Sequence, residues 1–493
     1  MMKQKPNDDF PWQEPSKAAG GEPDISGPDA PKKRGGIPVG VFVSTLCVVI
    51  ALTLLLTYTL TVASDRSYYS EILSEQQARI SEQEATIALL KQQGNTGELS
   101  RLQLLRSLFG AYSYYYNEMD QNAMMTAVLK AYVEATGDHY AEYYTKEEYA
   151  AILASNTGDS VGIGISVVQT ELTVDGRSYQ TYQIISIFEN APAASTELQV
   201  GDYIYGIKSD GAYHTVSGLG GYTAALQMLR GTEGTVAEFC AFRKNGDTYE
   251  TREYSITRRK YESQSVSARF SEKDPTVAVV RITEFNLTTP VQFRDAVLRM
   301  KEAGAKHFVF DVRNNPGGDL QSIKAVATYF LQKGDLILSS IDRDGKVGNS
   351  YYAEAMTLSG DYAACNVAES EIGMFADLDM VVLCNENTAS AAEVFTATLR
   401  DYGLAKIVGQ KTFGKGIMQS ILDLSYFGDY EGYVKFTTYA YVTKCNVTYH
   451  EIGISPDSGC EAELSEEAKK YSIYLLPESL DAQLAKAIEQ FGN

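Results

Sequence analysis

The chain has 493 residues, too many for one ordinary core, so two or three domains with extensions are expected. A formal charge of -20 argues against nucleic acid as a partner, because such binding needs a basic patch to displace counterions. Six cysteines, at 47, 240, 365, 384, 445 and 460, include no Cys-x-x-Cys pair and no histidine at ligand spacing, so no zinc site, other metal or cofactor is implied, and no disulfide pairing can be assigned.

Residues 1–35 are rich in Pro, Gly, Asp and Lys and read as a disordered tail. The run from Gly36 to Ala63 then continues for 28 residues without a charge, long enough to span a lipid bilayer with tilt. Lys32, Lys33 and Arg34 precede it, whereas Asp65 and Arg66 follow. The positive-inside rule therefore predicts a single-pass cell-membrane protein with a cytoplasmic tail and residues 64–493 outside. Thr61-Val-Ala63 resembles a signal-peptide cleavage site, but the tail and the apolar run are both too long for one.

Residues 64–97 read as a polar stalk. Leu73, Ile80 and Ile87 recur at heptad spacing, which hints at a coiled coil and a homodimer, while Gln76 and Gln83 at the intervening positions fit a solvated single helix equally well. From 98 to 158 the spacing is helical, with Leu102, Leu105, Leu108 and Phe109 on one side, and a small helical layer is expected. Between 159 and 260 the period changes to short alternating runs, broken by helical pieces near 191–197 and 222–229 and by Asn245-Gly246, a two-residue hairpin signal. At the entry to this β-rich segment stands Gly162-Ile-Gly-Ile165. Paired glycines there can turn backbone amides toward a carboxylate, although they also mark bulges and tight packing.

Residues 261–493 alternate strand and helix, which predicts an α/β core with its function at the strand ends. Strands are expected at 277–282, 307–313, 379–384 and 405–408, and helices at 291–303, 320–331 and 391–400. Three strand-end loops carry chemistry. Pro316-Gly317-Gly318 can present amides to an anion. Ser390-Ala-Ala-Glu393 fits a capping box at a helix start. Gly409-Gln-Lys-Thr-Phe-Gly414-Lys415 is close to a nucleotide-binding P-loop, but Gly416 occupies the position of the magnesium-binding Ser or Thr, and no clear helix follows.

A serine nucleophile needs a base, and the four histidines, at 139, 214, 307 and 450, have no evident triad companions in sequence. A buried lysine serves instead, since burial disfavours its charged form. Lys415, between glycines, suits that role. With strand alternation Gln419 faces the same side and can orient the amine.

The stretch from Asn385 to Ser420 resembles the active-site region of the carboxyl-terminal processing peptidases, or tail-specific proteases, in which a Ser-Ala-Ser-Ala-like segment is followed 25 positions later by the lysine of Thr-x-Gly-Lys-Gly, and four later by a glutamine. Ser390, Lys415 and Gln419 stand at that spacing, although Thr388 replaces the first serine. The resemblance extends to FDVRNNPGGDL at 310–320, GIGI at 162–165, GISPD at 453–457 and DAQLAKAIEQF at 481–491. Over roughly residues 98–493 it implies an α/β protease core of crotonase-like ββα repeats (261–493), with an inserted PDZ domain (159–260) and an N-terminal helical region, to which the single N-terminal transmembrane helix read from residues 36–63 is joined. It further implies a serine endopeptidase with a Ser390/Lys415 dyad supported by Gln419. An oxyanion hole would form from amides of Ala391 and of Gly317 or Gly318, and Gly162, Ile163, Gly164 and Ile165 would hold a peptide carboxylate. The substrates implied are proteins or peptides with free apolar C-termini. A tethered PDZ adaptor with an inert core is the competing expectation.

Overall fold

The structure, a computed structural model, describes residues 97–492. The tail, the apolar run 36–63 and the stalk lie outside the described residues; within them no helix is long and apolar enough to cross a membrane. The chain divides into two compact units between Ala111 and Tyr112. Helix α1 (Gly97–Tyr112) lies almost wholly in the first, with Leu105, Leu108 and Phe109 exposed.

The second unit opens with α2 (Gln121–Glu134), β1 (Glu142–Tyr144) and α3 (Lys146–Asn156), so the expected helical layer also contains a strand. A β-rich segment follows: β2 (Asp159–Gly162), β3 (Ile165–Val174), β4 (Arg177–Ile187), β5 (Tyr203–Ser209), β6 (Ala212–Thr215), α4 (Tyr222–Leu229), β7 (Val236–Asn245), β8 (Thr248–Thr257) and β9 (Arg259–Glu262). Strands β3, β4, β5, β7 and β8 form one sheet, with β6 on β5, and β2 pairs β9 to close the entry and exit of the segment. Its own core joins Ile163, Ile184, Ile204 and Phe239 to Ala225 and Leu229 of α4. The β7–β8 hairpin pairs Asn245 with Thr248, which makes Gly246-Asp247 the two turn residues. The hairpin lies where the sequence predicts it, with the turn one position later, and Gly246 takes φ 60°.

Next come β10 (Val266–Phe270), β11 (Val277–Ile282), α5 (Thr289–Glu302), β12 (His307–Asp311), α6 (Leu320–Thr328), β13 (Leu336–Ile341), β14 (Val347–Tyr352), β15 (Asp379–Cys384), α7 (Ala391–Asp401), β16 (Ala405–Gly409), β17 (Ile417–Asp423), β18 (Tyr433–Val442) and α8 (Ala482–Glu489). The central sheet runs β10-β11-β12-β15-β16, and all of its pairs except β10–β11 are parallel. Both faces are buried, which is why these strands read as continuous apolar runs. Val280, Phe310, Val382 and Ile407 pack with Phe293 of α5, Ile323 of α6 and Phe395 of α7. Val279, Val309, Val381 and Val408 face Leu484 and Ala487 of α8. A second sheet, β1-β18-β13-β14 with β17 on β18, brings the 142–144 segment against the strands that follow Lys415.

Candidate active site

Parallel register places the C-terminal ends of β11, β12, β15 and β16 side by side, through Arg281↔Asp311↔Leu383↔Val408. The loops leaving them carry Glu284, Gly317–Gly318, Ser390 and Lys415. Four loops far apart in sequence thus share one end of one sheet.

Ser390 joins β15 to α7 with φ 54° and ψ -120°, a conformation that non-glycine residues seldom adopt and that marks stored backbone strain. The loop before it is locked in place. Thr388 Oγ1 donates to the Val312 carbonyl at 2.9 Å, and Asn385 Oδ1 accepts from the Asn314 amide at 2.9 Å. Only one half of the expected capping box forms. Ser390 N–H donates to Glu393 Oε2 at 3.0 Å, whereas the serine hydroxyl makes no cap bond and stays available for other chemistry.

Opposite stands the loop 312–319. Arg313 is fully buried and bonds Asp311, Asp481 and Gln483, fastening the C-terminal segment under this loop. Burial alone would raise the Asp311 carboxyl, but Arg281 and Arg313 hold it well below the usual carboxylate range. Gly317 takes φ 107°, and a Cβ there would stand 2.7 Å from the Ser390 Cβ, so the loop reaches the serine only because residue 317 is glycine. Its amide, however, donates to Asn315 Oδ1 at 2.9 Å. The amides of Gly318 and Ala391 have no backbone acceptor among the described residues. Of the two glycines proposed from sequence, Gly318 keeps an amide without a backbone acceptor among the described residues, and Gly317 supplies closeness to Ser390 and the Ala391 amide.

Glu393, which sequence reasoning reads as a helix cap, does more. Its side chain is completely buried. Oε1 accepts from Thr412 Oγ1 at 2.6 Å and Gly414 N–H at 2.8 Å, and Oε2 from Lys415 N–H at 2.7 Å and Ser390 N–H at 3.0 Å. One carboxylate therefore ties the serine's helix to the lysine's loop. Tyr441, also buried, adds a second tie, its hydroxyl lying 3.0 Å from the Lys415 carbonyl and 3.3 Å from that of Ser390. The capping-box pattern signalled Glu393; nothing in the sequence signalled Tyr441.

The Lys415 amine is pushed below the ordinary lysine range first by burial and then by Lys435, against the opposing charges of Asp138 and Glu393. It lies 4.5 Å from the ring centre of Tyr140. The expected bond from Gln419 is not formed: its Nε2 reaches Thr437 Oγ1 at 3.4 Å. The β17–β18 ladder shifts register between Met418 and Gln419, where β18 carries the extra residue Thr438, and this sets Gln419 opposite Thr437. Of the histidines, His450 packs its main chain against Gly416, and His307 bonds Asp379 at the N-terminal ends of the strands, remote from these loops.

The sequence-predicted carboxylate loop lies elsewhere. Gly162, Ile163, Gly164 and Ile165 line a cavity of about 800 Å³ with Val167, Leu226, Leu229 and Arg230, and Arg281, Glu284 and Tyr474 border the same space. Gly164 takes φ 80°, and a Cβ there would collide with Ala191. The carbonyls of Ile163 and Gly164 accept from Ala193 and Phe188, while neither amide donates to a backbone acceptor among the described residues.

Residues 276–459 match peptidase family S41. Over 345 residues the chain is 30% identical to a "Probable CtpA-like serine protease" of Staphylococcus aureus strain N315, an alignment covering 70% of this chain and 62% of that relative. A protein of the same description from Staphylococcus saprophyticus is 28% identical over 370 residues, covering 75% and 66%. The chain thus spans less than two thirds of the length of the first relative. Among solved structures, one described as an S41 protease of Bacteroides fragilis NCTC 9343 superposes with a TM-score of 0.50 at 16% identity, covering 74% of this chain and 90% of that one, a likeness of fold.

Proposed function

The chain belongs to peptidase family S41, and from that premise we propose that it is a membrane-anchored extracytoplasmic serine endopeptidase acting through Ser390 and Lys415. The observation that carries this reading is the Glu393 carboxylate, which bonds the backbone amides of both residues at once. Ser390 Oγ attacks the scissile carbonyl carbon as its proton passes to neutral Lys415 Nζ. The tetrahedral oxyanion faces the amides of Ala391 and Gly318, and the start of α7 adds its positive dipole end. As the C–N bond breaks, Lys415 returns the proton to the leaving amine. Water, deprotonated by the same lysine, then releases the acyl group from Ser390.

The segment 159–260 acts as a PDZ domain in this account. An extended peptide lies along β3 against Leu226 and Leu229, with its C-terminal carboxylate at the amides of the Gly162–Ile165 loop, as in β-strand addition. The uncharged run 36–63 supports the anchor. The competing reading, an inert adaptor, is disfavoured by the serine's strained backbone and by a hydroxyl that makes no cap bond, neither of which simple capping requires.

Two forms of one unfolded polypeptide with an apolar C-terminus, one ending in a carboxylate and one amidated, test recognition. The amidated form is expected to be cleaved with kcat/KM lowered about tenfold or more, since it loses a charge-assisted contact worth roughly 1.5–3 kcal/mol. Equal rates for the two forms would remove C-terminal recognition from the account while leaving the dyad intact.

A further inference from the structure

The lysine amine's neighbour comes from outside the region matched to the family, from a turn that the sequence placed in a helical layer. Asp138 builds that turn. Its Oδ1 accepts from Tyr140 N–H at 3.0 Å and from Thr437 Oγ1 at 3.0 Å, and its Oδ2 from Thr437 N–H at 2.7 Å, pinning the turn to β18. The Ala141 amide closes it on the Asp138 carbonyl at 3.0 Å. The turn is thereby fixed at its base, and the Tyr140 ring lies with its centre 4.5 Å from Lys415 Nζ, within the range of a cation–π contact. Gln419, the side chain expected to orient the amine, is instead bonded to the same Thr437.

We propose that Tyr140 is a positioning residue for the Lys415 amine, its ring face holding Nζ toward Ser390 and stabilising the ammonium that forms when the serine's proton arrives. The inference rests on the dyad reading above. A cation–π contact strengthens as the amine gains its charge, so it favours the transition state over the neutral resting base. The ring therefore offsets part of what burial withdraws from the ammonium. Asp138 and Glu393 act in the same direction as the ring, and Lys435 opposes them.

The test keeps the shape of the ring and changes its electronics. In the full-length chain, Tyr140→Phe is expected to retain kcat within about twofold. Pentafluorophenylalanine at position 140, with the ring's negative face removed, is expected to lower kcat about tenfold at unchanged KM. It should also move the acid limb of the kcat–pH profile about half a unit to one unit toward lower pH, because the ammonium loses its partner. A purely structural ring would move neither quantity between these two shapes. Lys415→Ala run in parallel separates the possible failures. Hydrolysis surviving Lys415→Ala overturns the dyad and this inference with it. Hydrolysis lost with Lys415→Ala but equal for the phenyl and pentafluorophenyl rings overturns the inference alone.

Discussion

Replacing Lys415 by alanine is expected to lower kcat by about 10⁴ or more with KM changed only a few-fold, because the loss falls on proton transfer and not on substrate binding. The serine hydroxyl has no other base supplied by its own loop: Glu393 beside it already accepts four hydrogen bonds from Thr412, Gly414, Lys415 and Ser390. Lys415→Arg should not rescue the activity, since a guanidinium stays charged at any working pH. Burial moves the lysine below its ordinary range, and only the neutral amine accepts a proton. Activity should therefore rise with pH through an acid limb lying below the ordinary lysine pKa of about 10.4. Steady-state kinetics of wild type and both variants across pH check this. A variant that keeps wild-type kcat would assign the base elsewhere, with His450 beside Gly416 the first residue to examine.

The second large effect belongs to Glu393. Glu393→Ala leaves the amides of Ser390, Gly414 and Lys415 and the Thr412 hydroxyl without the acceptor they share. Each buried donor left unpaired costs about 1–3 kcal/mol, so a loss of about 4 kcal/mol or more is expected in denaturant-induced unfolding. Glu393→Gln keeps the shape but turns an NH₂ toward two donors, and about half that loss is expected. Activity should fall with both variants even under conditions where they remain folded, because the serine's helix and the lysine's loop lose their common tie. Unfolding midpoints unchanged from wild type would show that the buried carboxylate contributes no net stability.

The parts of the fold that were legible in sequence are those where local pattern and tertiary burial agree. Val277–Ile282 and Asp379–Cys384 read directly as strands because a parallel sheet covered on both faces demands an unbroken apolar run. Helix α7 read correctly because its start carries Ser390 and Glu393 at capping spacing. The second sheet was less legible: β13 and β14 went unread, and β18, the other partner of β13, approaches from about a hundred residues later, a pairing no local window contains.

The site shows the same boundary. Ser390 and Lys415 stand out by residue type and spacing. Gln419 was assigned by alternation, whereas a bulge at Thr438 of β18 sets it opposite Thr437, to which its amide bonds. Gly317 and Gly318 are indistinguishable as letters; only the bond from the Gly317 amide to Asn315 separates the glycine that gives closeness from the one that keeps a free donor. Tyr140 carries no motif at all. Its place over the amine depends on Asp138 reaching Thr437, 299 positions away.

The central claim is that Ser390 is acylated by substrate. Its most direct test is intact-mass and peptide-mapping analysis of the full-length chain quenched in acid during turnover of an activated peptide ester. The account predicts one acyl adduct, on the peptide containing Ser390, absent from Ser390→Ala. Hydrolysis by Ser390→Ala at the wild-type rate, or an adduct on another residue, would contradict it.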